Sequence, residues 1–496
     1  MAKQTLALQG DSAAVVKFTL VCCCGQRRRM RVLFLEEGAV VTCVRYGTRP
    51  SAKLGVFLLA VALGSSVIAG PRAADLERVK SEYVLKSGAF SPEARVQAVH
   101  FIDTIAATAD GMTHEQFLLS VLRIAAFADN GHDTESDEGD AWSPKARLPV
   151  RMIWFPDAWL IARADSANSD LLGARVLSID NRPPSEVFRG LRDYCGGVDG
   201  YRRWNLEFIV ENEGLLYAAG LARHADRLSL ELRLVDGRRI HRTLKFVAKT
   251  ALPAGQIPER VWSPAPWPGE AEKGWHAFDP RPTPLYLQDG ARLFRVVRIP
   301  ELQALFLQMR VHFDMAGETV ADFRHKVDEE IDEYHPRHLI VDLRFDTGGD
   351  IDATRDWQRT LPTRIPGRMY VLVGRYTFSA GIVAAAAFKH DAPQQVRLVG
   401  EGVGDRLRWW SEGHNVCMPD SHYCLHLTTG LWDLVHGCAE RPECYGDKYD
   451  ARVADLLPDL DARLTATSWL SGRDPGIEAI ERDLVSADRP RVLDGR

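Results

Sequence analysis

The chain has 496 residues, 46% hydrophobic and 26% charged, an ordinary globular balance with room for two to four domains. Its 62 basic and 67 acidic residues nearly cancel, so the composition argues against a nucleic-acid partner.

Residues 1–74 read as a leader. Leu54 to Gly70 is an uncharged run (LGVFLLAVALGSSVIAG) preceded by Arg45, Arg49 and Lys53 and followed by small residues, the layout of an export signal cleaved between Ala69 and Ala74. A retained anchor is the alternative, and it would be the chain's one route to a membrane. The run is short for a span and interrupted by Gly and Ser, which favours cleavage. Residues 1–45 are long for a basic n-region. Met30 is an alternative initiator, and this part is set apart from the fold.

Residues 75–145 carry a helical pattern. The runs Glu93 to Val99 and Gln116 to Leu122 place apolar residues at intervals of three and four. The second run leads into the polar turn Ala128-Asp129-Asn130-Gly131-His132-Asp133-Thr134, where His132 is expected to be exposed, by default as a solvated loop histidine.

Strand-like segments follow in a β-rich region, 146–250. They are Val150 to Phe155, Trp159 to Ala162, Leu171 to Pro183 and Leu228 to Val235, the last ending in the hairpin turn Asp236-Gly237. The Pro- and Trp-rich stretch 251–288 predicts a linker or a surface loop. A last domain, 289–486, opens on a strand from Arg292 to Ile299 and a helix from Ala316 to Tyr334.

Two motifs in that domain carry chemistry. His338-Leu339-Ile340-Val341-Asp342-Leu343-Arg344 is a buried-strand pattern ending in Asp346-Thr347-Gly348-Gly349-Asp350, whose paired glycines permit positive φ and close backbone approach. Met369 to Val373 is a second short strand. It ends at Gly374 and turns through Thr377-Phe378-Ser379-Ala380-Gly381 into an Ala-rich helix. A serine at a helix start lies beside unpaired backbone N–H groups, the arrangement acyl transfer needs of a nucleophile and its oxyanion donors. The plain alternative is a helix cap. Two parallel strands would bring both turns to one sheet edge.

The pair HLIVDLRFDTGGD and YVLVGRYTFSAG resembles the tail-specific, or C-terminal-processing, serine peptidases. The likeness continues through Leu398 to Gly404 and a closing stretch at Leu457 to Leu460 and Gly472 to Ala479, covering residues 290–485 well and 75–250 loosely. It implies an α+β chain with an α/β core. A ClpP/crotonase-like catalytic domain would follow the helical N-terminal segment and a reduced PDZ-like, β-rich substrate domain, whose Gly173-Ala174-Arg175-Val176 stretch resembles a PDZ turn.

For the site, the resemblance implies Ser379 as nucleophile and His132, in a segment similar to the family's Asp-Gly-His-Thr, as general base. An imidazole suits taking a proton from serine and returning it to the leaving group. Backbone N–H groups of Ala380 and of Gly348 or Gly349 would form the oxyanion hole. The bacterial branch places a lysine after the nucleophile's helix, but here the turn reads Gly404-Asp405-Arg406. A guanidinium cannot serve as base, so the tricorn-like Ser-His arrangement remains. It needs an acid to orient the histidine. Glu440 or Glu443 is expected in that role, with Asp447, Asp450 and Glu401 as further candidates.

Outside the leader the cysteines are Cys195, Cys417, Cys424, Cys438 and Cys444. With export, Cys417/Cys424 and Cys438/Cys444 suit local disulfides, while the pairing stays open. His414, His422, His426 and His436 are interleaved but lack metal-ligand spacing, so no metal is expected. Trp409, Trp410, Trp432 and Tyr445 either line a specificity pocket or belong to the core.

The reading is an exported serine endopeptidase acting on peptides or proteins, without cofactor. Two alternatives are an inactive peptide-binding member of the fold, suggested by Asp346-Thr347 where the family commonly has Asn-Gly, and a crotonase-like acyl-thioester enzyme. The oligomeric state is open.

Overall fold

The computed structural model describes residues 16–21, 27–35, 38–42, 70–136, 145–248, 262–265, 269–438, 441–445 and 451–487. The chain divides into two units, Met1–Val67 and Ile68–Arg496. In the first, Val16–Val21, Arg27–Leu35 and Gly38–Thr42 form an antiparallel three-stranded sheet in the region set apart above as leader. Its β-branched runs, Val32 opposite both Val16 and Val41, suit strand pairing. The expected export run at 54–69 lies outside the described residues.

The second unit begins with three helices, α1 (Pro71–Arg78), α2 (Pro92–Ala106) and α3 (His114–Ala126). Ser91 caps α2, and a reciprocal capping box between Thr113 and Gln116 starts α3. The apolar face of α3, including Phe117, Leu118, Val121 and Leu122, is buried. It packs with strands β1 (Val150–Trp154), β2 (Trp159–Asp165), β3 (Arg175–Ile179), β4 (Arg227–Arg233) and β5 (Arg239–Lys245) in one core. These strands form an antiparallel sheet, completed on β2 by β6 (Trp275–Ala277). Helices α4 (Pro184–Leu191) and α5 (Asp199–Glu211) interrupt it between β3 and β4.

The expected linker is only partly a surface segment. Trp262 is 1% exposed and packs edge-on against Phe155, Phe345 and Tyr376, so an indole in this stretch joins the core between the two sheets.

The second sheet runs in the order β7 (Phe294–Ile299), β8 (Ala304–Met309), β9 (His338–Asp342), β10 (Met369–Val373), β11 (Val396–Gly400), β12 (Leu460–Asp461), all parallel after the first hairpin. All residues of β9 and β10 are buried, as parallel strands covered on both faces require. Helices α6 (Val320–Tyr334) and α7 (Ala380–Asp391) cross over between β8 and β9 and between β10 and β11, short helical turns within 351–364 join β9 to β10, and α8 (Pro475–Ala487) packs on β11. Helix α6 begins four residues later than the sequence suggests. Ala316 and Gly317 take positive φ in a turn closed by mutual Met315 and Glu318 backbone bonds, and Thr319 then caps Asp322. In α7 every residue from Ala380 to Phe388 is buried, which explains its lack of a polar face. Because Asp342 pairs with Leu372, the turns leaving β9 and β10 emerge side by side.

Among the described residues no helix is long and apolar enough to cross a membrane, and no group of three or more His, Cys, Asp or Glu could hold a metal ion.

Candidate active site

The two glycines after β9 take φ of 102° and 130°. A Cβ on Gly348 would stand 2.6 Å from the Ser379 Cβ and 3.0 Å from the Ala380 nitrogen, so only glycine allows the turns to approach this closely. Ser379 has φ 50° and ψ −121°, a conformation that costs an L-residue of the order of 1–3 kcal/mol. Its hydroxyl caps nothing in α7, so the plain capping explanation does not hold. The Gly348 N–H donates to Asp346 Oδ1 at 3.0 Å. Among the described residues the N–H groups of Gly349 and Ala380 have no acceptor, which leaves two backbone donors beside the serine.

His132 lies against the residue preceding the serine. Its ring stacks on Phe378 with centroids 4.3 Å apart, and more distantly on Trp409. The expected exposure is not found: the His132 side chain is 13% exposed and neither ring nitrogen has a hydrogen-bond partner among the described residues. Gly131 accounts for the burial, since a Cβ there would meet Phe378 and the Asp405 carboxylate within 3 Å. Asp405 Oδ2 faces His132 Nδ1 at 3.7 Å and is itself buried, with no hydrogen-bond partner among the described residues. The other Asp405 oxygen accepts the Arg406 N–H at 2.8 Å.

The loop carrying His132 is held on every side. Asp133 accepts from Tyr83 (3.1 Å), Ser87 (2.9 Å), Asn130 (2.8 Å) and Thr428 (2.6 Å). Burial raises the Asp133 carboxyl above its usual range, and these four donors oppose the rise. Asn130 exchanges two bonds with the Trp410 backbone, and Arg202 and Arg406 both bind the Asp129 carboxylate.

No family model and no curated protein matches the sequence. Among solved structures, mature CPAF aligns at TM-score 0.54 over 86% of this chain and 99% of its own, at 12% identity. This chain has the fold of CPAF. Mature CPAF complexed with lactacystin aligns at TM-score 0.53 and 12% identity, covering 85% of this chain and 99% of its own. The photosystem II D1 C-terminal processing protease aligns at only 0.35, with 12% identity over 82% and 99% of the two chains, and adds nothing to the assignment. These structural neighbours are peptidases of the tail-specific, C-terminal-processing kind.

Within the CPAF fold, a cavity of about 260 Å³ adjoins Ser379. Its walls include Gly349, Asp350, Ala380, Trp409, Glu412 and Trp432. The Trp409 and Trp432 rings stack 5.8 Å apart, and Tyr445 stacks on Trp432 behind them. Trp410 faces Gly88 instead. A larger groove of about 640 Å³, between Trp154, Arg203, Arg375 and Leu457, contains neither Ser379 nor His132, and volume alone does not locate the chemistry.

Of the acids expected to serve His132, Glu440, Asp447 and Asp450 lie outside the described residues. Glu443 is exposed, and it touches the fold through its carbonyl, which accepts from Leu431. Glu401 is engaged by Arg375 at 3.0 Å. The carboxylate facing the histidine is Asp405, which sequence reasoning passed over. Its signal was its position in the turn searched for a lysine.

The cysteines pair as Cys417–Cys424 and Cys438–Cys444, and Cys195 is free. Part of the Cys195 surface reaches solvent, yet burial of the thiol pushes its pKa far above the usual range, so it stays protonated.

Proposed function

We propose that the protein is an exported serine peptidase acting through an acyl-enzyme on Ser379. The observation that carries this reading is the strained Ser379, its hydroxyl unused, beside two backbone N–H groups without acceptors among the described residues, with a half-buried histidine that stacks on the preceding Phe378 and faces a carboxylate. Ser379 attacks the scissile carbonyl while its proton passes to His132. The N–H groups of Gly349 and Ala380 receive the oxyanion, and His132 returns the proton to the departing amine. Water then attacks the acyl-enzyme by the same path. Asp405 orients the imidazole and stabilises its charged form. Closing the 3.7 Å gap to a charge-assisted hydrogen bond needs a movement of about 1 Å, of the kind that accompanies substrate binding. In this reading residues 289–486 form the ClpP/crotonase-like catalytic domain, and 146–250 a PDZ-like domain that presents peptide or protein substrate.

Export rests on the apolar run at 54–70 and on two disulfides, which persist in oxidising compartments. A second reading, peptide binding without turnover, is favoured by one observation: among the described residues neither nitrogen of His132 makes a hydrogen bond. The two readings separate on cleavage of a quenched-fluorescent peptide library. Turnover by the wild-type chain, abolished in Ser379→Ala and His132→Ala, supports the peptidase. Binding of the same peptides without cleavage supports the second.

A further inference from the structure

His312 and Asp346 form a buried pair that the chemistry above leaves unused. Both side chains are 0% exposed, and His312 Nε2 stands 2.8 Å from Asp346 Oδ2. The two atoms stand at contact distance without the straight line of a hydrogen bond. The other imidazole nitrogen, Nδ1, lies 2.9 Å from Thr354 Oγ1, which fixes the ring from both ends.

This pair touches both turns of the site. The His312 backbone brackets the double glycine: its N–H donates to the Gly348 carbonyl at 2.7 Å, and its carbonyl accepts the Asp350 N–H at 3.1 Å. The N–H of Gly349, between those two contacts, is left without an acceptor among the described residues. Asp346 reaches the same turn through Oδ1, which takes the Gly348 N–H, and the other turn through its carbonyl, which takes the Phe378 N–H at 2.9 Å. Gly381 packs so closely that a Cβ would lie 2.8 Å from that carbonyl oxygen.

We infer that the His312–Asp346 pair is a positioning device that fixes the double-glycine turn against the Ser379 turn, so that the Gly349 and Ala380 N–H groups converge. Two consecutive glycines at positive φ have wide conformational freedom, and nothing in their own side chains holds them. The buried carboxylate is held between the two: Oδ1 accepts the Gly348 N–H, and Oδ2 lies against the imidazole at 2.8 Å. Removing either side chain frees the turn that consumes the Gly348 N–H and presents that of Gly349. The catalytic consequence rests on the serine-peptidase reading, whereas the mechanical link between the turns does not.

The test uses the full chain and the variants Asp346→Ala, His312→Ala and Asp346→Asn. One readout is the maximum rate of Ser379 acylation at saturating fluorophosphonate, together with the half-saturating concentration. The other is hydrogen exchange in peptides spanning 343–350 and 376–381. Asp346→Ala and His312→Ala are expected to lower the maximum rate at least about tenfold while half-saturation moves less than about twofold. Exchange should rise in both peptides together, with α2 unchanged. Asp346→Asn keeps an oxygen to accept the Gly348 N–H and should recover most of the loss. A purely structural role would lower thermal stability and leave the rate of the folded fraction intact. Wild-type rate and wild-type exchange in both folded alanine variants overturn the inference. If the wild type itself does not react, the peptidase reading fails, and coupled exchange in the two turns still decides for or against the pair.

Discussion

Asp405 turns a buried carboxylate oxygen toward His132 Nδ1 at 3.7 Å, with its own side chain 1% exposed. In the serine-peptidase reading proposed above, Asp405 orients the imidazole through Nδ1 and leaves Nε2 for Ser379. Asp405→Asn should therefore reduce peptide turnover by roughly 10²–10⁴-fold, chiefly in kcat, because the amide no longer fixes the tautomer or stabilises the imidazolium. Glu443→Gln should change turnover by less than about twofold. Steady-state kinetics on the two variants distinguish the acids directly.

Strain at Ser379 gives a second prediction. Glycine tolerates φ 50°, ψ −121° without the penalty an L-side chain meets, and alanine does not. Ser379→Gly should be more stable than Ser379→Ala by about 1 kcal/mol in urea denaturation, with both inactive. Equal stability of the two would remove the claim that the nucleophile is held in a strained turn.

The closing helix is anchored by charge. Arg344 makes paired hydrogen bonds to Asp474 at 2.8 and 3.0 Å and to Asp342 at 2.9 and 2.8 Å, tying the start of α8 to the end of β9. Arg344→Met leaves two buried carboxylates without their cation and should cost about 3–5 kcal/mol of stability. Calorimetry of this variant should show a lower midpoint than any exposed Arg→Met control.

Stability should fall on acidification through two histidines. Burial lowers the pKa of His114, which sits beside the Tyr423 hydroxyl, and that of His426, which is bonded to Asn415 and the Glu412 carbonyl. A depressed histidine contributes stability above its unfolded value, near 6.5, and loses it as the pH falls through the lower folded value. The thermal midpoint should thus drop as the pH falls below about 6.5. The drop should be smaller in His114→Gln and His426→Gln. Parallel curves for wild type and both variants would contradict the assignment.

The Cys417–Cys424 bridge joins the hairpin that also holds the segment after His132, since the Ser136 N–H donates to the Cys424 carbonyl at 3.0 Å and the His426 N–H to that of Thr134 at 2.9 Å. Replacing both cysteines by serine should lower stability by about 2.5 kcal/mol from loop entropy. Faster exchange in residues 134–136 should accompany the loss.

Much of this fold was legible because local signals agreed. Two short buried strands, each ended by Gly or Ser turns, predicted a shared sheet edge, and β9 and β10 lie parallel with those turns adjacent. Residues Val150 to Ala162 and the Asp236-Gly237 hairpin likewise read directly from alternation and turn chemistry. The acid was missed because its contact with His132 joins positions 273 residues apart, and no periodicity reports such a pairing. His132 was expected to be exposed from its polar neighbours, yet those neighbours point into a network centred on Asp133 while the ring turns onto Phe378. Trp262 was read as linker because proline dominates its surroundings, and only the packing of two sheets reveals the slot it fills.

The central claim is that Ser379 is a nucleophile activated by His132. The most direct measurement is intact-mass and peptide mapping of the full chain after reaction with a fluorophosphonate, alongside Ser379→Ala and His132→Ala. The account predicts one adduct on the wild type, mapped to the peptide containing Ser379, and none on either variant. A folded wild-type chain that stays unmodified, or an adduct that persists in Ser379→Ala, would contradict it.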